Sequence, residues 1–537
     1  MKKLYSFLLF TALCFTANAQ LSKTMTVSGG TSVSIATGTT VTADNVNLKS
    51  TSDKFSSLML DGDLLKDDAV TPTVVNYDRY VNVVGSASNN GGNDLISLPV
   101  KTADATFGDL LTYSADGGTT PNSSIIVNNP DPSFDTVYAF GPYSNSAGAY
   151  INYDEIIDGT VLLERGMGYR AATNNGETIR FTGTVSKADE TVAITTTFTG
   201  ADYNYWNTVG NPYPTYINAQ VFYSENKDQL DVDAQAIYAY NSGTGSVSGF
   251  GTFGNFTIIN DLTNETVNIA PGQGFLVAVD RDAIGNEIVF TQAMRVFSGT
   301  DDFILGRSDN QSQKLRLKAE QGSTNFATEI YFNDNATLGL DPGYDAGTFN
   351  GISSNFMIYS HLVEGNTGRN MAIQSLASTD MNDVIIPLGL KTAQGQQVTI
   401  SIENSTLPAE TQVYLEDNQS NTFTLLNSGD YTFTANTAIS GTGRFFLRMG
   451  TATLSTPVTE ANALKLFTTE QTLFIKGQLL AETQVSVYDI QGRLVLTSIL
   501  AQGSDSNNID ASGLNTGIYI VKLNNEKQEL TKKVIIK

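Results

Sequence analysis

Residues 485–496 read VSVYDIQGRLVL, and the fold class can be inferred from this stretch outward. Apolar and small residues alternate up to Tyr488, and apolar residues return at Leu494, which is the period-two pattern of strands with one buried face. Between the two runs lie Asp489 and Gly492, which favour a turn, and Gly492 can adopt a positive φ at no steric cost. The stretch therefore predicts two antiparallel strands joined by a short turn.

The same pattern continues to the end of the sequence. Residues 514–523 read LNTGIYIVKL, which predicts a turn around Gly517 followed by a strand. Residues 532–537 read KKVIIK, a further short strand that begins at a lysine pair. We predict a β module over 464–537, preceded by a Thr- and Ser-rich linker at 451–463.

Three elements of this module resemble the type A C-terminal sorting domain of proteins exported by type IX secretion. They are Tyr488-Asp489-x-x-Gly492-Arg493, Leu514-x-x-Gly517-x-Tyr519, and the final strand that begins at Lys532-Lys533. Their order, their spacing and their position in the chain all agree with that family. The resemblance implies an immunoglobulin-like module that the type IX machinery of the outer membrane recognises.

The resemblance also implies a route of export. The Sec machinery would bring the chain to the periplasm, and the type IX machinery would carry the folded protein across the outer membrane. A sortase-like protease would then remove the module near the 451–463 linker, leaving the body secreted or attached to the cell surface. A mobile linker suits such cleavage because it exposes its backbone to a protease.

Residues 1–19 are predicted to form a signal peptide for this route. A basic start is followed by a mostly apolar run that is too short to span a bilayer. Ala17 and Ala19 form a small-x-small cleavage site, which makes Gln20 the first mature residue. An alternative is a lipoprotein anchored through Cys14, but the bulky Leu13 before it does not suit such an anchor.

The composition restricts the chemistry of the mature chain. Cys14 is the only cysteine, so its removal excludes disulfides, thiolate zinc sites and cysteine nucleophiles. The 31 Lys and Arg residues stand against 54 Asp and Glu, a formal net charge of −23, and so acidic a surface excludes nucleic acid as a partner. No later segment is apolar over the ~20 residues that a spanning helix needs, so we expect no transmembrane segment.

The body is predicted to consist of several β domains in series. Residues 20–75 alternate small polar and apolar residues between glycine turns, which favours a Thr/Ser/Gly-rich β layer of stacked or solenoid-like strands. Two copies of one β domain follow at 76–190 and 191–300, and residues 310–450 predict a separate β-sandwich. The fold class is therefore all-β, with sandwich-like domains in series, an internal duplication and an Ig-like terminal module.

The duplication is inferred from pairs of similar segments, three of them at offsets of 100, 106 and 109 residues. The pairs are 137–140 (VYAF) with 237–240 (IYAY), 166–172 (GMGYRAA) with 272–278 (GQGFLVA), 179–182 (IRFT) with 288–291 (IVFT), and, upstream, 95–99 (LISLP) with 206–212 (WNTVGNP). The paired Gly-x-Gly segments lack the third glycine and the following helix of a phosphate-binding loop. We therefore interpret them as tight turns between strands.

No catalytic constellation is found. The single histidine, His361, lies in a strand-like run without a nucleophile-elbow motif, and we expect it to be structural. Trp206 occupies an apolar position of the repeat, which favours packing in the core over a platform for sugars. We predict that the protein is not an enzyme and has no catalytic or cofactor-binding residues.

Structural Ca²⁺ is the one candidate ligand, and it stays open. Asp61-Gly62-Asp63, Asn333-Asp334-Asn335, and Asp341 with Asp345 supply oxygen donors on predicted turns. None of these sets has EF-hand spacing, and acids in loops often hold turns by bonding their own backbone. The metal ligands are therefore unknown from the sequence.

The leading hypothesis for function is a secreted or cell-surface, non-enzymatic protein that acts in adhesion by binding glycans or other surfaces. Stacked β domains present loops from a rigid scaffold, which suits binding. Two alternatives are a secreted carbohydrate-active hydrolase that uses a carboxylate pair and a structural stalk. A cleft with two facing acids would favour the hydrolase, and flat domain ends would favour the adhesin.

Overall fold

The computed structural model describes residues 23–83, 93–114, 118, 120–129, 131, 133, 135–196, 205–240, 256–262, 267–280, 287–299, 313–349, 355–451, 464–469, 471–489, 493–504, 506–525 and 529–536. About 53% of these described residues are strand and 9% are helix, which confirms the all-β fold class. The chain divides into two compact units, Met1–Gly450 and Thr451–Lys537. The division lies at the start of the predicted linker.

The first layer of the body is a stack of parallel strands. Its strands are β1 (Thr24–Val27), β2 (Ser32–Ile35), β3 (Thr40–Thr42), β4 (Asn45–Lys49), β5 (Ser57–Leu60), β6 (Asp63–Leu65) and β7 (Val74–Val81). β1 pairs with β4 and β4 with β7, while β2 pairs with β5 and β3 with β6, all in the parallel sense. Parallel pairing between successive turns of the chain is the arrangement of a β-solenoid, in which alternate apolar side chains point into the stack.

The next elements form two sets with a similar order along the chain. After β7, the first set contains β8 (Asp94–Ile96), α1 (Phe107–Thr112), α2 (Asn122–Ile125), β9 (Phe140–Ser144), β10 (Ala149–Tyr150), α3 (Glu155–Asp158), β11 (Tyr169–Ala171) and β12 (Glu177–Gly183). The second set contains β13 (Glu190–Ala193), β14 (Trp206–Gly210), β15 (Tyr216–Asn218), α4 (Ala219–Asn226), 3₁₀ turns at Lys227–Gln229 and Val232–Ala234, β16 (Ile237–Tyr240), β17 (Phe256–Ile259), β18 (Asn268–Ile269), β19 (Gly274–Ala278), β20 (Glu287–Phe290), a 3₁₀ turn at Gln292–Met294 and β21 (Arg295–Val296).

The strands that carry the similar segments hold equivalent places in two four-stranded antiparallel sheets. One sheet has the order β10-β9-β11-β8, and the other has the order β17-β16-β19-β14. Beside these sheets, β12 pairs with β7, and β20 pairs with β13. The similar segments of the two sets thus lie on strands that follow the same order. The boundaries of the two copies, 76–190 and 191–300, stay predictions.

The two sheets meet through reciprocal hydrogen bonds at their Gly-x-Gly turns. The amide of Gly210 donates to the carbonyl oxygen of Gly166 at 2.8 Å, and the amide of Ser97, at the equivalent place, donates to that of Gly272 at 2.8 Å. Gly166 and Gly272 have φ of +74° and +63°, a region in which a side chain would be strained. The first glycine of each motif therefore serves a tight turn, in agreement with the interpretation from sequence.

The second glycine of each motif allows two backbones to approach closely. A Cβ on Gly168 would lie 2.3 Å from Thr208 Cγ2, and a Cβ on Gly274 would lie 2.8 Å from the carbonyl carbon of Leu95. Each glycine thus faces a strand of the other set. The two sets pack in a crossed, reciprocal manner through β8 and β14.

The rest of the body is one eleven-stranded sheet. Its strands are β22 (Gln313–Gln321), β23 (Thr324–Phe332), β24 (Ala346–Gly347), β25 (Met357–Ser360), β26 (Met371–Leu376), β27 (Asp383–Thr392), β28 (Gln397–Ser405), β29 (Thr411–Asp417), β30 (Thr422–Leu425), β31 (Tyr431–Thr434) and β32 (Ile439–Thr451), with a 3₁₀ turn at Ser378–Asn382. The order is β30-β29-β32-β27-β25-β26-β23-β22-β28-β31, with β24 beside β26. The Tyr431 hydroxyl on β31 donates to Asp417 on β29 at 2.7 Å, so the sheet curls until its ends meet around one core.

Core residues cross the borders between these bodies. Leu48 of the solenoid layer and Phe140 of the first set belong to one hydrophobic cluster. Trp206 of the second set belongs to another, which continues into the eleven-stranded sheet through Ala346 and Ile373. The layers of the body therefore stabilise one another by shared apolar burial.

The terminal unit is a two-sheet sandwich. Its strands are β33 (Lys465–Thr469), β34 (Thr472–Lys476), β35 (Thr483–Asp489), β36 (Leu494–Leu500), β37 (Ser506–Asp510), β38 (Gly517–Asn524) and β39 (Glu529–Ile536). One sheet is β33-β34-β37 and the other is β36-β35-β38-β39. Val485 and Val487 on β35 and Val521 on β38 are fully buried between the sheets. The strand pair predicted from residues 485–496 is present as β35 and β36, with a bulge at Tyr488.

Candidate functional site

The turn between β35 and β36 is closed by Asp489 and Arg493. The Arg493 amide donates to Asp489 Oδ1 at 2.9 Å, and its Nε donates to Oδ2 at 3.0 Å. The Asp489 amide in turn donates to the Arg493 carbonyl oxygen at 2.9 Å. The Arg493 side chain is 76% exposed, so the ion pair itself adds little stability and the turn depends on the backbone bonds. Gly492 lies outside the described residues.

The second motif element is anchored by Tyr519. Its ring is buried, and its hydroxyl donates to the Asn515 carbonyl oxygen at 2.7 Å, which ties the start of β38 to the preceding turn. The Leu514 amide donates to the Ala511 carbonyl oxygen at 2.9 Å, and its side chain packs on the core. Gly517 has ordinary backbone angles, and a Cβ there would meet the Tyr519 ring at an ordinary 3.7 Å. The described contacts therefore do not explain why residue 517 is a glycine.

Strand register brings the three motif elements together on one sheet. Asp489 on β35 pairs with Tyr519 on β38, and Tyr519 pairs with Val534 on β39. Lys532 and Lys533 pair with the two residues that follow Tyr519. The elements are separated along the chain, yet they lie on three adjacent strands.

The predicted processing sites cannot be placed in the fold. Ala17, Ala19 and Gln20 lie outside the described residues, as do residues 452–463 of the predicted linker. Signal-peptide cleavage and removal of the module near 451–463 therefore stay predictions.

His361 is held as a structural residue. Its Nε2 lies 3.0 Å from Asn370 Oδ1, and its Nδ1 lies 3.1 Å from the Asn366 amide nitrogen. The ring is nearly buried and stacks at a tilt on Tyr359, with 5.4 Å between centroids. Two side-chain amides therefore contact both ring nitrogens, whereas the base of a catalytic triad is oriented by a carboxylate.

Three of the candidate calcium ligands, Asp61, Asp63 and Asp341, are engaged in bonds within the protein. Asp61 forms an ion pair with Arg295 at 2.5 Å, and Asp63 forms one with Lys187 at 3.1 Å. Asp341 accepts hydrogen bonds from the amide and the hydroxyl of Thr337, and so holds its own turn. No group of three or more His, Cys, Asp or Glu side chains that could hold a metal ion occurs among the described residues. Structural Ca²⁺ stays a prediction for these turns.

Asp345, one of the candidate calcium ligands, is the most unusual acid among the described residues, and its burial was not predicted from the sequence. The side chain is fully buried, and its two oxygens accept from the amides of Asp341 at 2.7 Å and Ser375 at 2.6 Å. Burial raises the pKa of the Asp345 carboxyl to about 7, because the two amide bonds only partly offset the loss of water. A carboxyl with no exposed surface cannot reach a substrate, so it serves the fold.

Sequence reasoning also missed an exposed apolar projection on the first set. Ile156 and Ile157 of α3 are 81% and 76% exposed, and Leu162 just after the helix is 54% exposed. Asp154 caps the helix by accepting from the amides of Ile156 at 2.8 Å and Ile157 at 3.2 Å. The signal in the sequence was the isoleucine pair between Asp154 and Asp158. An amphipathic helix would bury such apolar residues, but here acidic residues flank them on both sides.

Within the described part of the chain, no helix is both long enough and apolar enough to cross a membrane.

Comparison with known families assigns the two units separately. A model described as "Domain of unknown function (DUF8693)" matches residues 11–449, and one described as "Secretion system C-terminal sorting domain" matches residues 469–537. The second match confirms the resemblance of the terminal module to the sorting domain of type IX secretion. No curated protein matches the chain.

Two solved structures show a faint likeness. A "Biofilm associated protein - BSP domain" is 9% identical with a TM-score of 0.20, and the match covers 85% of this chain and 97% of that chain. A "tetra-tandem repeat in extending region of large adhesion protein" is 11% identical with a TM-score of 0.11, covering 56% and 91%. TM-scores this low carry no argument about fold or function.

Proposed function

This chain belongs to the DUF8693 family and carries a type IX sorting domain that directs export, and from this premise we propose that its body is a non-enzymatic adhesion protein at the cell surface. The observation that carries the proposal is the apolar projection formed by Ile156, Ile157 and Leu162. Apolar side chains this exposed are costly in water unless a partner covers them.

The projection is held rigidly rather than left to move. Besides the Asp154 cap, the Glu155 amide donates to the Thr136 carbonyl oxygen at 2.8 Å, and the Asp154 amide donates to Asp158 Oδ2 at 2.8 Å. A rigid apolar projection loses little conformational entropy on binding, which favours affinity. Its acidic neighbours oppose an anionic lipid surface, so a protein or glycan surface is the favoured target.

The experiment is a binding assay on the purified full-length chain against immobilised extracellular-matrix proteins and a glycan array. The double variant Ile156→Ser/Ile157→Ser is expected to lose most of the binding. Val70→Ser is the matched control, because Val70 is 79% exposed on a turn of the solenoid layer. Binding that is unchanged in the double variant would refute the proposed role of the projection, and no binding at all would favour a structural stalk.

The hydrolase alternative makes a different forecast. It requires two accessible carboxyl groups ~5–10 Å apart in a cleft. Asp345, whose raised pKa resembles that of a general acid, is fully buried and does not meet this requirement. Release of reducing sugar from polysaccharide by the purified chain would overturn the non-enzymatic proposal.

A further inference from the structure

The outer face of the β36-β35-β38-β39 sheet carries apolar side chains where a solvent-facing sheet usually carries polar ones. Along β38, Tyr519, Val521 and Leu523 point into the core, so Ile518 and Ile520 point outward. Ile518 is 42% exposed. The period of two thus places apolar side chains on both faces of this strand, with the two isoleucines on the outer face.

Register makes these outward residues one continuous patch, here called the outer patch. Ile518 pairs with Ile535 on β39, which is 46% exposed. Ile520 pairs with Tyr488 on β35, and Tyr488 pairs with Leu494 on β36, which is 49% exposed. The outer patch therefore crosses all four strands at the end of the sheet that bears the Asp489–Arg493 turn.

The charge around the outer patch differs from that of the rest of the chain. Lys533 pairs with Ile520 and Lys522 lies two residues further along β38, both on the outer face and exposed. None of the described residues at this end of the face is acidic. Residues 464–537 carry eight Lys and Arg against seven Asp and Glu, a balance of +1, whereas the remaining residues carry 23 against 47. The module thus presents an apolar surface with positive charge within a strongly acidic protein.

We infer that the outer patch is the surface by which the sorting module docks on a protein subunit of the export machinery, and this inference rests on the export function of the module. The partner surface is apolar at its centre and carries carboxylates at its rim, opposite Lys522 and Lys533. An apolar centre supplies the affinity, and rim charges supply orientation and rate of association. An anionic lipid surface would also attract the lysines, and the experiment below separates the two.

The test measures surface display of the full-length chain in the bacterium that makes it, by accessibility to protease added to whole cells. The variant Ile518→Thr/Ile535→Thr alters one cross-strand pair with a residue that also favours strands. It is expected to reduce display about tenfold and to accumulate in the periplasm, since losing central apolar contacts of ~1.4 kcal/mol weakens binding tenfold. The control is Ile499→Thr, 69% exposed at the opposite end of the same face, which is expected to be displayed normally.

A second variant keeps the inference testable if the double variant fails to fold. Lys533→Glu changes the charge without touching the core and is expected to reduce display, whereas Lys476→Glu, on the other sheet, is the control. Normal display of both outer-patch variants, or an equal loss of display in Ile499→Thr, would overturn the inference.

Deletion of 464–537 distinguishes failure of this docking surface from failure of the export function of the module. Normal display after the deletion would overturn export by the module itself. Binding of the purified chain to anionic phospholipid vesicles that is lost in Lys533→Glu would assign the face to lipid and overturn a protein partner.

Discussion

Replacing Gly168 by alanine tests the crossed packing of the two sets directly. The added Cβ would lie 2.3 Å from Thr208 Cγ2 and 2.8 Å from the Val209 carbonyl oxygen, well inside van der Waals contact. Gly168 has no positive φ, so the substitution adds no backbone strain and only the clash contributes. Overpacking of a tight site costs about 1–3 kcal/mol, and the backbone oxygen of Val209 can yield little. We expect the free energy of unfolding of the body to fall by about 2 kcal/mol.

Equilibrium denaturation of the full-length chain in urea measures this change, with two control variants. Gly429→Ala adds a Cβ that meets nothing within 4 Å at ordinary backbone angles, and its effect is expected to stay within about 0.5 kcal/mol. Thr208→Ser removes the clashing methyl but keeps the hydroxyl, which lies 3.2 Å from the Tyr150 hydroxyl. In the double variant Gly168→Ala/Thr208→Ser, the free energy of unfolding is expected to be about 1 kcal/mol higher than the sum of the two single effects predicts, because the two sites are neighbours and their effects are coupled. A Gly168→Ala protein as stable as Gly429→Ala, or an absence of coupling with Thr208→Ser, would refute the tight approach of the two sets.

Three further predictions concern single groups. Because the pKa of the buried Asp345 carboxyl is raised to about 7, the stabilisation from its protonated form is full below pH ~4 and is lost as pH rises through 7. Between pH 4 and 8, the free energy of unfolding of the wild type, measured by urea titration, is therefore expected to fall by up to ~4 kcal/mol more than that of Asp345→Asn. An equal dependence on pH in the two proteins would refute this prediction. Tyr519→Phe removes the bond to the Asn515 carbonyl oxygen and is expected to destabilise the module by about 1 kcal/mol in its own unfolding transition. Arg493→Ala removes an exposed ion pair and is expected to change that transition by less than ~1 kcal/mol, so a larger loss would mean that the turn depends on the guanidinium.

The features that the sequence predicted are those set by near neighbours in the chain. Alternation around Asp489 was enough to predict β35 and β36, because the period of two depends on one face being buried and not on which strand covers it. The motif around Tyr519 was recognisable for a similar reason, since its hydroxyl bonds to Asn515 only four residues away. Repeated segments were visible because similar strands that occupy equivalent places keep similar apolar positions.

The features that the sequence did not predict depend on distant partners. In sequence Asp345 resembles other acids in Gly- and Asp-rich turns, but in the fold it is buried and accepts from the amide of Ser375, thirty residues away. The same turn packs on the second set, where the Asp261 amide donates to the Gly343 carbonyl oxygen at 2.9 Å. In the same way, exposure of Ile156 and Ile157 follows from the absence of a covering element over α3 within the described residues, which no local pattern encodes.

The Gly-x-Gly motifs show how a repeated motif can mark an interface instead of a ligand. A glycine pair that served a phosphate would need its own loop and helix, and it would act within one copy. Here Gly166 accepts from Gly210 of the other set, and Gly272 accepts from Ser97 of the first, so each motif is bonded to the other set. Both motifs must keep their glycines for the same contact to form twice, which accounts for their recurrence at equivalent places without any bound group. The repeat in the sequence is therefore the trace of a reciprocal packing between the two sets.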